Sequence, residues 1–338
     1  MERLIQANGQ AHYGIFADAP KLINYRDFDF RSAMGRRLGA LAKWRRFHQF
    51  QYFGLVSEAL IGGCALANLS LLGVGFVYLF HPGSGRIIAR QFKLPLGMGT
   101  GFSQRPQDGV CELRSGRNLL RFENSEAPRQ KRLLVELDDG TRIDASFSEQ
   151  QPAFQTMCLN TPCAANGWVY AQKVAGVRCR GTVLSSLGEF DLTAIDAFAH
   201  HDWSAGYMRP ETYWNWACLS GQAGAQRVGL NLSCGVNETS FTENCFWLDG
   251  ELIKVDTARF AFDRDQPLQP WRIDSHDGQV QLRFEARGLH RERLNLGFLA
   301  SNFKQVFGRF SGVLRPVGRP EVAIDNLWGF VEDQYVKW

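Results

Sequence analysis

The sequence predicts an all-β protein made of two closed or nearly closed antiparallel barrels. Apolar residues alternate with polar ones at the strand period of two, as in 133–137, 141–147 and 280–284. Asp-Gly turn signals precede two of these runs, at 139–140 and 277–278. The 34 glycines are spread along the chain beside short apolar runs, which is typical of a protein with many turns. No long helical pattern follows Arg46.

Length and composition indicate two globular domains. The chain has 338 residues, which suits two cores of ordinary size, and we predict domains 1–185 and 186–338. Hydrophobic residues make up 45% of the chain and charged residues 21%, so disorder is excluded as the main state. The net charge of +4 is small for this length and does not favour a nucleic-acid partner.

The start of the chain and the cysteines point to a cytoplasmic protein with free thiols. The N-terminal segment MERLIQANGQ lacks the basic and apolar regions of a secretory signal. The eight cysteines include no CxxC pair, so a zinc site is not expected. Phosphate-binding and dinucleotide-binding glycine motifs are missing as well. We therefore expect neither a metal nor a cofactor.

Two segments raise the question of a membrane. Residues 59–80 carry no charge and are long enough to cross a bilayer. Their internal glycines and the ending FVYLF favour two buried strands with a bend near Gly73 or Gly75. Residues 31–46 hold six basic side chains among Leu, Ala and Trp. They suit either a solvated segment or a basic amphipathic helix at the surface of the inner membrane.

The stretch 200–250 is the strongest candidate for a site, because it holds four of the nine tryptophans and a pair of adjacent histidines. In a strand, His201 and Trp203 share one face, while His200 and Asp202 share the other. By the same rule Tyr213 lies beside Asn215, opposite Trp214 and Trp216. If the two strands pair, one face collects an imidazole, an indole, a phenol and an amide, which predicts a small-molecule pocket.

The candidate residues carry two kinds of role. We predict acid–base or electrostatic roles for His201, Tyr213 and Asp202, because an imidazole titrates near neutrality. Predicted ligand-binding residues are Trp203, Arg209, Trp214, Asn215, Trp216, Asn231, Asn237, Glu238, Asn244, Trp247, Asn302 and Trp328.

Each role has a structural alternative. His201 can be a core histidine bonded to a carbonyl, and Asp202 can simply pair with Arg209. Asn237 and Glu238 suit a turn equally well. Asn302, Trp328 and Glu332 reach the same cavity only if the barrel brings the C-terminus back.

Six stretches carry a resemblance to a known family: YFGLVSEALIGGCALANL, HDWSAGYMRPETYWNWA, GLNLSCGVNET, ENCFWLDGELIKV, LNLGFLASNFKQVFGRFSG and LWGFVEDQYVKW. Together they resemble the bacterial family known as domain of unknown function 2804, over most of the chain. More distantly, the centre resembles the two-barrel, lipocalin-like superfamily of AttH-type proteins, carotenoid 1,2-hydratase and tocopherol cyclase. This resemblance implies two lipocalin-like (calycin) antiparallel β-barrels, or strongly curved β-sandwiches, in tandem.

The superfamily carries a His-x-Trp element and a Tyr-x-Asp or Trp-Asp-Trp element near the barrel junction. His201-Asp202-Trp203 matches the first element. Tyr213 to Trp216 matches the second, except that Asn215 stands where the hydratases have an acid. An amide has no proton to donate, so the hydratase mechanism does not transfer intact.

The function expected from these features is binding of an apolar or amphipathic small molecule, such as a lipid, an isoprenoid or a polyketide-like product, in a barrel pocket. A cofactor-free isomerisation, cyclisation or hydration of that molecule is the enzymatic form of this hypothesis. A non-catalytic carrier or sensor, or a protein peripheral to a membrane, is the alternative.

Overall fold

The computed structural model describes residues 1–150, 153–236, 241–295, 297 and 299–337. Strands account for 62% of the chain and helices for 3%, which confirms the predicted all-β class. The described residues form one short α helix, α1 (Ala40–Arg46), and one 3₁₀ turn, Tyr25–Asp27. Every pairing between the named strands is antiparallel, as predicted.

The strands follow one another along the chain with short connections. The first half contains β1 (Gly14–Phe16), β2 (His48–Val56), β3 (Ile61–Asn68), β4 (Leu72–His81), β5 (Arg86–Pro95), β6 (Thr100–Gly101), β7 (Gly109–Ser115), β8 (Asn118–Glu126), β9 (Arg129–Glu136), β10 (Arg142–Ser148), β11 (Met157–Cys163) and β12 (Gly167–Arg178). The second half contains β13 (Arg180–Ser185), β14 (Gly188–Asp191), β15 (Phe198–Gly206), β16 (Glu211–Ala223), β17 (Gln226–Cys234), β18 (Cys245–Leu248), β19 (Glu251–Lys254), β20 (Ala258–Ala261), β21 (Trp271–Ser275), β22 (Val280–Asn295), β23 (Ala300–Leu314) and β24 (Val322–Lys337).

The strands form three sheets. The first has the order β1-β11-β12-β15-β2-β3-β4-β5, and the second has the order β14-β13-β10-β9-β8-β7-β6. These two sheets share one core, to which both contribute apolar side chains. The third sheet, β19-β18-β17-β16-β24-β23-β22-β21-β20, surrounds a core of its own. It curls so far that β20, at one edge, approaches β17 near the other edge.

Strand pairing continues across the predicted domain boundary at residue 185. β14 lies beyond that boundary but pairs with β13, and β15 inserts between β12 and β2 of the first sheet. The N-terminal pair of sheets therefore extends to Gly206, and the third sheet contains all the strands that follow. The predicted division into domains 1–185 and 186–338 does not coincide with this change of sheet.

The uncharged segment 59–80 forms β3 and β4, as predicted, and these strands pair with each other. The bend lies at Leu69–Leu71, so its predicted place near Gly73 or Gly75 was wrong. Gly73 and Gly75 instead lie inside β4, where a side chain would collide with Thr100 or with Leu113. No helix in the described ranges is long and apolar enough to cross a bilayer.

The basic segment 31–46 is mostly exposed, and its helical part is limited to the seven residues of α1. None of these seven residues is buried. Before the helix, Arg31 and Arg37 form an isolated bridge, and both pair with Asp29.

The first and third sheets touch closely where β12 crosses β17. A Cβ on Gly176 would lie 2.7 Å from the backbone nitrogen of Gly229, and Gly176 has a φ of +77°. A Cβ on Gly229 would overlap the Ala175 carbonyl. Glycine at both positions therefore lets the two backbones approach and fixes the distance between the sheets on either side of the contact.

Candidate functional site

Two adjoining cavities lie between the first sheet and the curled third sheet. The first has a volume of about 130 Å³ and contains Asp202 of β15 and Trp216 of β16. The second has a volume of about 320 Å³ and extends between β4 and β23. Both share Phe50, Trp214 and Glu332 in their walls, so the two cavities meet along a common boundary.

The pairing of β16 with β24 brings the C-terminus back to this junction. Trp216 lies opposite Glu332 in the register of these strands, and Trp214 lies opposite Gln334. Because alternate residues share a face, Trp214, Trp216 and Glu332 all project toward the cavities. This satisfies the condition under which Glu332 was expected to reach the site.

A buried ammonium joins two carboxylates at the inner end of the first cavity. Lys173 Nζ lies 2.6 Å from Asp202 Oδ2 and 3.3 Å from Glu243 Oε1. The other oxygen of Asp202 accepts a hydrogen bond of 2.7 Å from Ser204 Oγ. Although burial opposes the charge, the two carboxylates raise the pKa of Lys173 above its ordinary value. Burial raises the pKa of Asp202 above its ordinary value, although Lys173 acts in the opposite direction.

Lys173 also lies 5.0 Å from the centre of the Trp216 ring, a distance suited to a cation–π contact. The Trp216 indole N–H in turn donates to Asn231 Oδ1 over 2.8 Å. Asn231 donates to the backbone carbonyl of Glu243 over 3.0 Å. Asn231 thus orients both the indole and the segment that carries the second carboxylate.

Glu332 is a buried carboxyl group surrounded by hydrogen-bond donors. Gln305 Nε2 donates to Oε1 over 2.9 Å, and Trp214 Nε1 donates to Oε2 over 3.2 Å. Burial raises the pKa of Glu332 to about 8, although the Trp214 indole and Lys173 act in the opposite direction. The group is therefore largely protonated at neutral pH.

Glu332 lies in the wall that the two cavities share. Its two donors, the Trp214 indole and the Gln305 amide, approach different carboxyl oxygens. In its protonated form the carboxyl group also has one O–H donor of its own. Glu332 can accordingly give a hydrogen bond, or a proton, to a molecule in the cavity.

A buried row of polar rings lies behind this wall. Tyr52 OH and Tyr78 OH are 2.6 Å apart, and His200 Nε2 lies 3.4 Å from Tyr52 OH. Burial lowers the pKa of His200 to about 3, so the imidazole is neutral at physiological pH. Phe330 packs against both His200 and Tyr52. Tyr52 also lines the second cavity.

The predicted grouping of four side chains on one face was wrong, because β15 and β16 do not pair. β15 lies between β12 and β2, whereas β16 lies between β17 and β24. The alternation within each strand holds, but the cavity takes Asp202 from one strand and Trp214 and Trp216 from the other. His201 and Trp203 face the N-terminal core instead.

His201 and Trp203 are buried away from both cavities. His201 Nε2 lies 3.1 Å from Gln51 Nε2, and its ring packs against Phe147 of the second sheet. Burial, with smaller effects from Lys131 and Lys173, holds the pKa of His201 well below its ordinary value. Trp203 packs against Tyr170 beneath the N-terminal segment. The catalytic role of His201 stays a prediction, without a cavity contact to support it.

The polar candidates of the second element face away from the cavities as well. Asn215 Nδ2 donates to the Glu332 carbonyl over 3.1 Å, so it fixes the strand that carries the acid. Tyr213 is 49% exposed and lies with Asn302 in a separate open groove. Asp202 pairs with Lys173 rather than with Arg209, the partner that the structural alternative gave it.

The remaining candidates hold the framework together. Asn244 Oδ1 accepts from the Ser233 N–H over 2.7 Å. Trp247 donates to the Gln155 carbonyl over 2.7 Å, and Trp328 donates to Glu58 over 3.1 Å, so both link the third sheet to the N-terminal half. Asn237 and Glu238 lie outside the described residues.

Two charged residues that line the site, Lys173 and Glu243, were missed by reasoning from the sequence. Lys173 is the one charged residue inside the apolar run GWVYAQKVAGV, a signal that was available. Glu243 follows a turn-rich segment and has no comparable signal. Within the described ranges, no set of three or more His, Cys, Asp or Glu side chains is arranged to hold a metal ion. No disulfide joins the cysteines that the structure describes.

The sequence matches the family described as Domain of unknown function (DUF2804) over residues 4–338. The chain belongs to this family. No curated protein matches it by sequence.

Solved structures with a similar fold include three named proteins. An AttH-like protein from Nitrosomonas europaea is 13% identical, with a TM-score of 0.51, over 85% of this chain and 92% of that one. CghA in complex with Sch210972 is 9% identical, with a TM-score of 0.58, over 96% and 98% of the two chains. Kievitone hydratase from Nectria haematococca is 9% identical, with a TM-score of 0.51, over 85% and 88%. At these identities the likeness concerns the fold, and it confirms the predicted lipocalin-like architecture.

Proposed function

We propose that this member of the DUF2804 family binds an apolar or amphipathic small molecule in the two adjoining cavities. We further propose that it catalyses a cofactor-free hydration, isomerisation or cyclisation of that molecule. The observation that carries the proposal is the position of Glu332, a buried carboxyl group in the wall shared by both cavities, whose pKa burial raises to about 8. A protonated acid in an apolar site is the group that such chemistry requires.

Glu332 takes the place of the acid that is missing at Asn215. In a hydration, Glu332 transfers its proton to one carbon of an alkene while the other carbon becomes cationic. A water molecule then bonds to that carbon, and one of its protons returns to the Glu332 carboxylate, so the acid is regenerated. In an isomerisation the substrate returns a proton from a neighbouring carbon instead, and no water is incorporated.

The surrounding groups suit a developing positive charge. Trp214 and Phe50 line both cavities, and aromatic rings attract a cation electrostatically. The carboxyl groups of Asp202 and Glu243 lie at the inner end beside Lys173, where an ionised carboxylate attracts a developing cation. Both features favour a cationic transition state over the neutral substrate, which is the differential binding that accelerates a reaction.

A solvent-isotope experiment tests this proposal. The protein is purified gently from its own host, and bound molecules are identified by native mass spectrometry and extraction. Each recovered molecule, and the host lipid extract, is then incubated in D₂O with wild-type protein, with Glu332→Gln, or with the exposed control Glu321→Gln. We expect wild type and Glu321→Gln to place deuterium on a carbon of one compound, and Glu332→Gln to bind that compound without labelling it.

The outcomes separate the hypotheses. A ligand that is bound but recovered unlabelled and unchanged from wild-type protein would support the carrier or sensor and remove the enzymatic proposal. Full labelling by Glu332→Gln would remove Glu332 as the acid. Failure to bind any compound from the extract would contradict the binding function itself.

A further inference from the structure

Large apolar side chains protrude from three neighbouring segments near the second cavity. They are Leu41 and Trp44 on α1, Leu71 in the β3–β4 turn, and Leu96 and Met98 in the β5–β6 turn; we call this set the α1 surface. Leu41 is 76% exposed, and Leu96 and Met98 are each 64% exposed. A contiguous patch of this kind marks an interaction site rather than ordinary surface.

Hydrogen bonds hold the three segments side by side. Ser70 Oγ donates to the Trp44 carbonyl over 2.8 Å and to the Phe47 carbonyl over 3.1 Å, which ties α1 to the β3–β4 turn. The Leu96 N–H donates to the Leu71 carbonyl over 2.8 Å, which ties the two turns together. The α1 surface is therefore a connected patch of the folded protein.

Leu96 adopts a backbone conformation that leucine rarely takes. Its φ is +54°, in the left-handed region where asparagine or glycine is favoured. An exposed leucine at such a position costs stability and gains no burial in return. This points to a role for its apolar side chain outside the folded chain.

The segments that form the patch carry only positive charges, while the nearest carboxylate before α1, Asp29, pairs with Arg31 and Arg37. Residues 31–47, 69–72 and 93–99 contain no Asp or Glu. Arg45 is exposed and lies one turn along α1 from Leu41, on the same side of the helix, and Lys93 is exposed beside the β5–β6 turn. Such a surface is complementary to a bilayer with anionic headgroups, because the apolar side chains can enter the lipid interface while the neighbouring cations contact the headgroups.

The patch adjoins the second cavity. Leu69 and Leu72, the residues that flank the exposed turn at Leu71, line that cavity, as does the exposed Lys93. The part of the cavity wall that Lys93 forms, which we call its mouth, therefore lies beside the α1 surface.

We propose that the α1 surface docks the protein on an anionic lipid bilayer, with the mouth of the second cavity at the membrane. Leu41, Trp44, Leu71, Leu96 and Met98 enter the interface, while Arg45 and Lys93 contact anionic headgroups. The docking is reversible, because the apolar contribution comes from a few side chains and the rest is electrostatic. The proposal does not depend on the acid chemistry of Glu332.

Vesicle co-sedimentation of the full chain tests the docking. The vesicles are pure phosphatidylcholine, or phosphatidylcholine mixed with phosphatidylglycerol. We expect binding to the mixed vesicles that weakens with added salt, and little binding to the neutral ones. Equal binding to both vesicles, or no binding to either, would overturn the proposal.

Matched variants locate the contact. Replacing Leu41 or Leu71 by Gln should lower the partition coefficient about tenfold for each residue, as expected when one large apolar side chain is lost. Val317→Gln is the control, since Val317 is 83% exposed in the β23–β24 connection, remote from the patch. Arg45→Gln should lower anionic binding about fivefold, whereas the exposed Arg117→Gln should not.

Leu96→Asn separates docking from folding. Asparagine suits the left-handed backbone, so the variant should unfold at the same or a higher temperature than wild type while its vesicle binding falls about tenfold. If every patch variant binds vesicles as wild type does, the α1 surface is not the docking face.

Discussion

Lys173 Nζ lies 2.6 Å from Asp202 Oδ2, and both groups are buried where the N-terminal sheets meet the third sheet. Glu243, from the third sheet's side, completes the cluster at 3.3 Å from the same nitrogen. The contact therefore fixes the position of one cavity wall relative to the other. The stability of the fold therefore depends on the charges of Lys173, Asp202 and Glu243.

We predict that Lys173→Met destabilises the fold by roughly 3–5 kcal/mol, because it leaves two carboxylates buried without their cation. Urea denaturation measures the change. The surface variant Lys21→Met, which removes an exposed pair with Glu2, should leave the stability close to that of wild type. Adding Asp202→Asn and Glu243→Gln to Lys173→Met should restore part of the loss; no recovery would show that the charges are not the cause.

Glu332 should give the folding stability a distinctive dependence on pH. Its pKa is raised from 4.5 in the unfolded chain to about 8 in the folded protein, so between these values the folded state holds a proton that the unfolded state has lost. Raising the pH then favours the unfolded state by up to about 1.4 kcal/mol per pH unit. The stability that the protonated Glu332 carboxyl group contributes is fully present below the pKa of the unfolded chain. It is lost as the pH rises through the pKa of the folded protein.

The measurement for this prediction is the unfolding free energy of wild type and Glu332→Gln at several pH values from about 5 to about 8. Lys173, Asp202 and Glu243 are present in both proteins, so the difference between the two curves isolates Glu332. Parallel curves would mean that Glu332 ionises normally in the folded state.

Trp214→Phe should raise the pKa of Glu332 further, because the indole N–H stabilises the carboxylate. Loss of one hydrogen bond to the carboxylate should raise the pKa of Glu332 by about one pH unit. Infrared difference spectra of the carboxyl stretch, with Glu332→Gln as reference, give the midpoint. Trp328→Phe removes a similar bond to Glu58 and should leave the midpoint in place; an unchanged or lower midpoint in Trp214→Phe would contradict the assignment.

Gly229→Ala should destabilise the protein by about 3 kcal/mol, since its Cβ would overlap the Ala175 carbonyl and separate β12 from β17. The same displacement should weaken ligand binding, because these strands carry opposite walls of the first cavity. Gly221→Ala on neighbouring β16 is the control, as its Cβ would meet Leu327 at 3.5 Å, an ordinary contact. Equal thermal stability of the two variants would argue against a tight crossing.

The sequence by itself determined the fold class and the facing of residues within each strand. Alternation predicted the all-β chain, the 133–147 hairpin and the separation of His200 and Asp202 from His201 and Trp203, because the side-chain period of a strand is a local property. The resemblance also identified the lipocalin-like architecture. A lone lysine in an apolar strand, Lys173, is a further local signal of a site.

Only the tertiary structure decided which faces meet around the cavities. β15 and β16 follow each other in the chain but belong to different sheets, so Asp202 rather than His201 reaches the site. Glu332 arrives through the register of β24 with β16, a pairing between segments far apart in the sequence. Such pairings depend on how whole sheets curl and pack, and burial at that junction is what keeps the Glu332 carboxyl protonated near neutral pH.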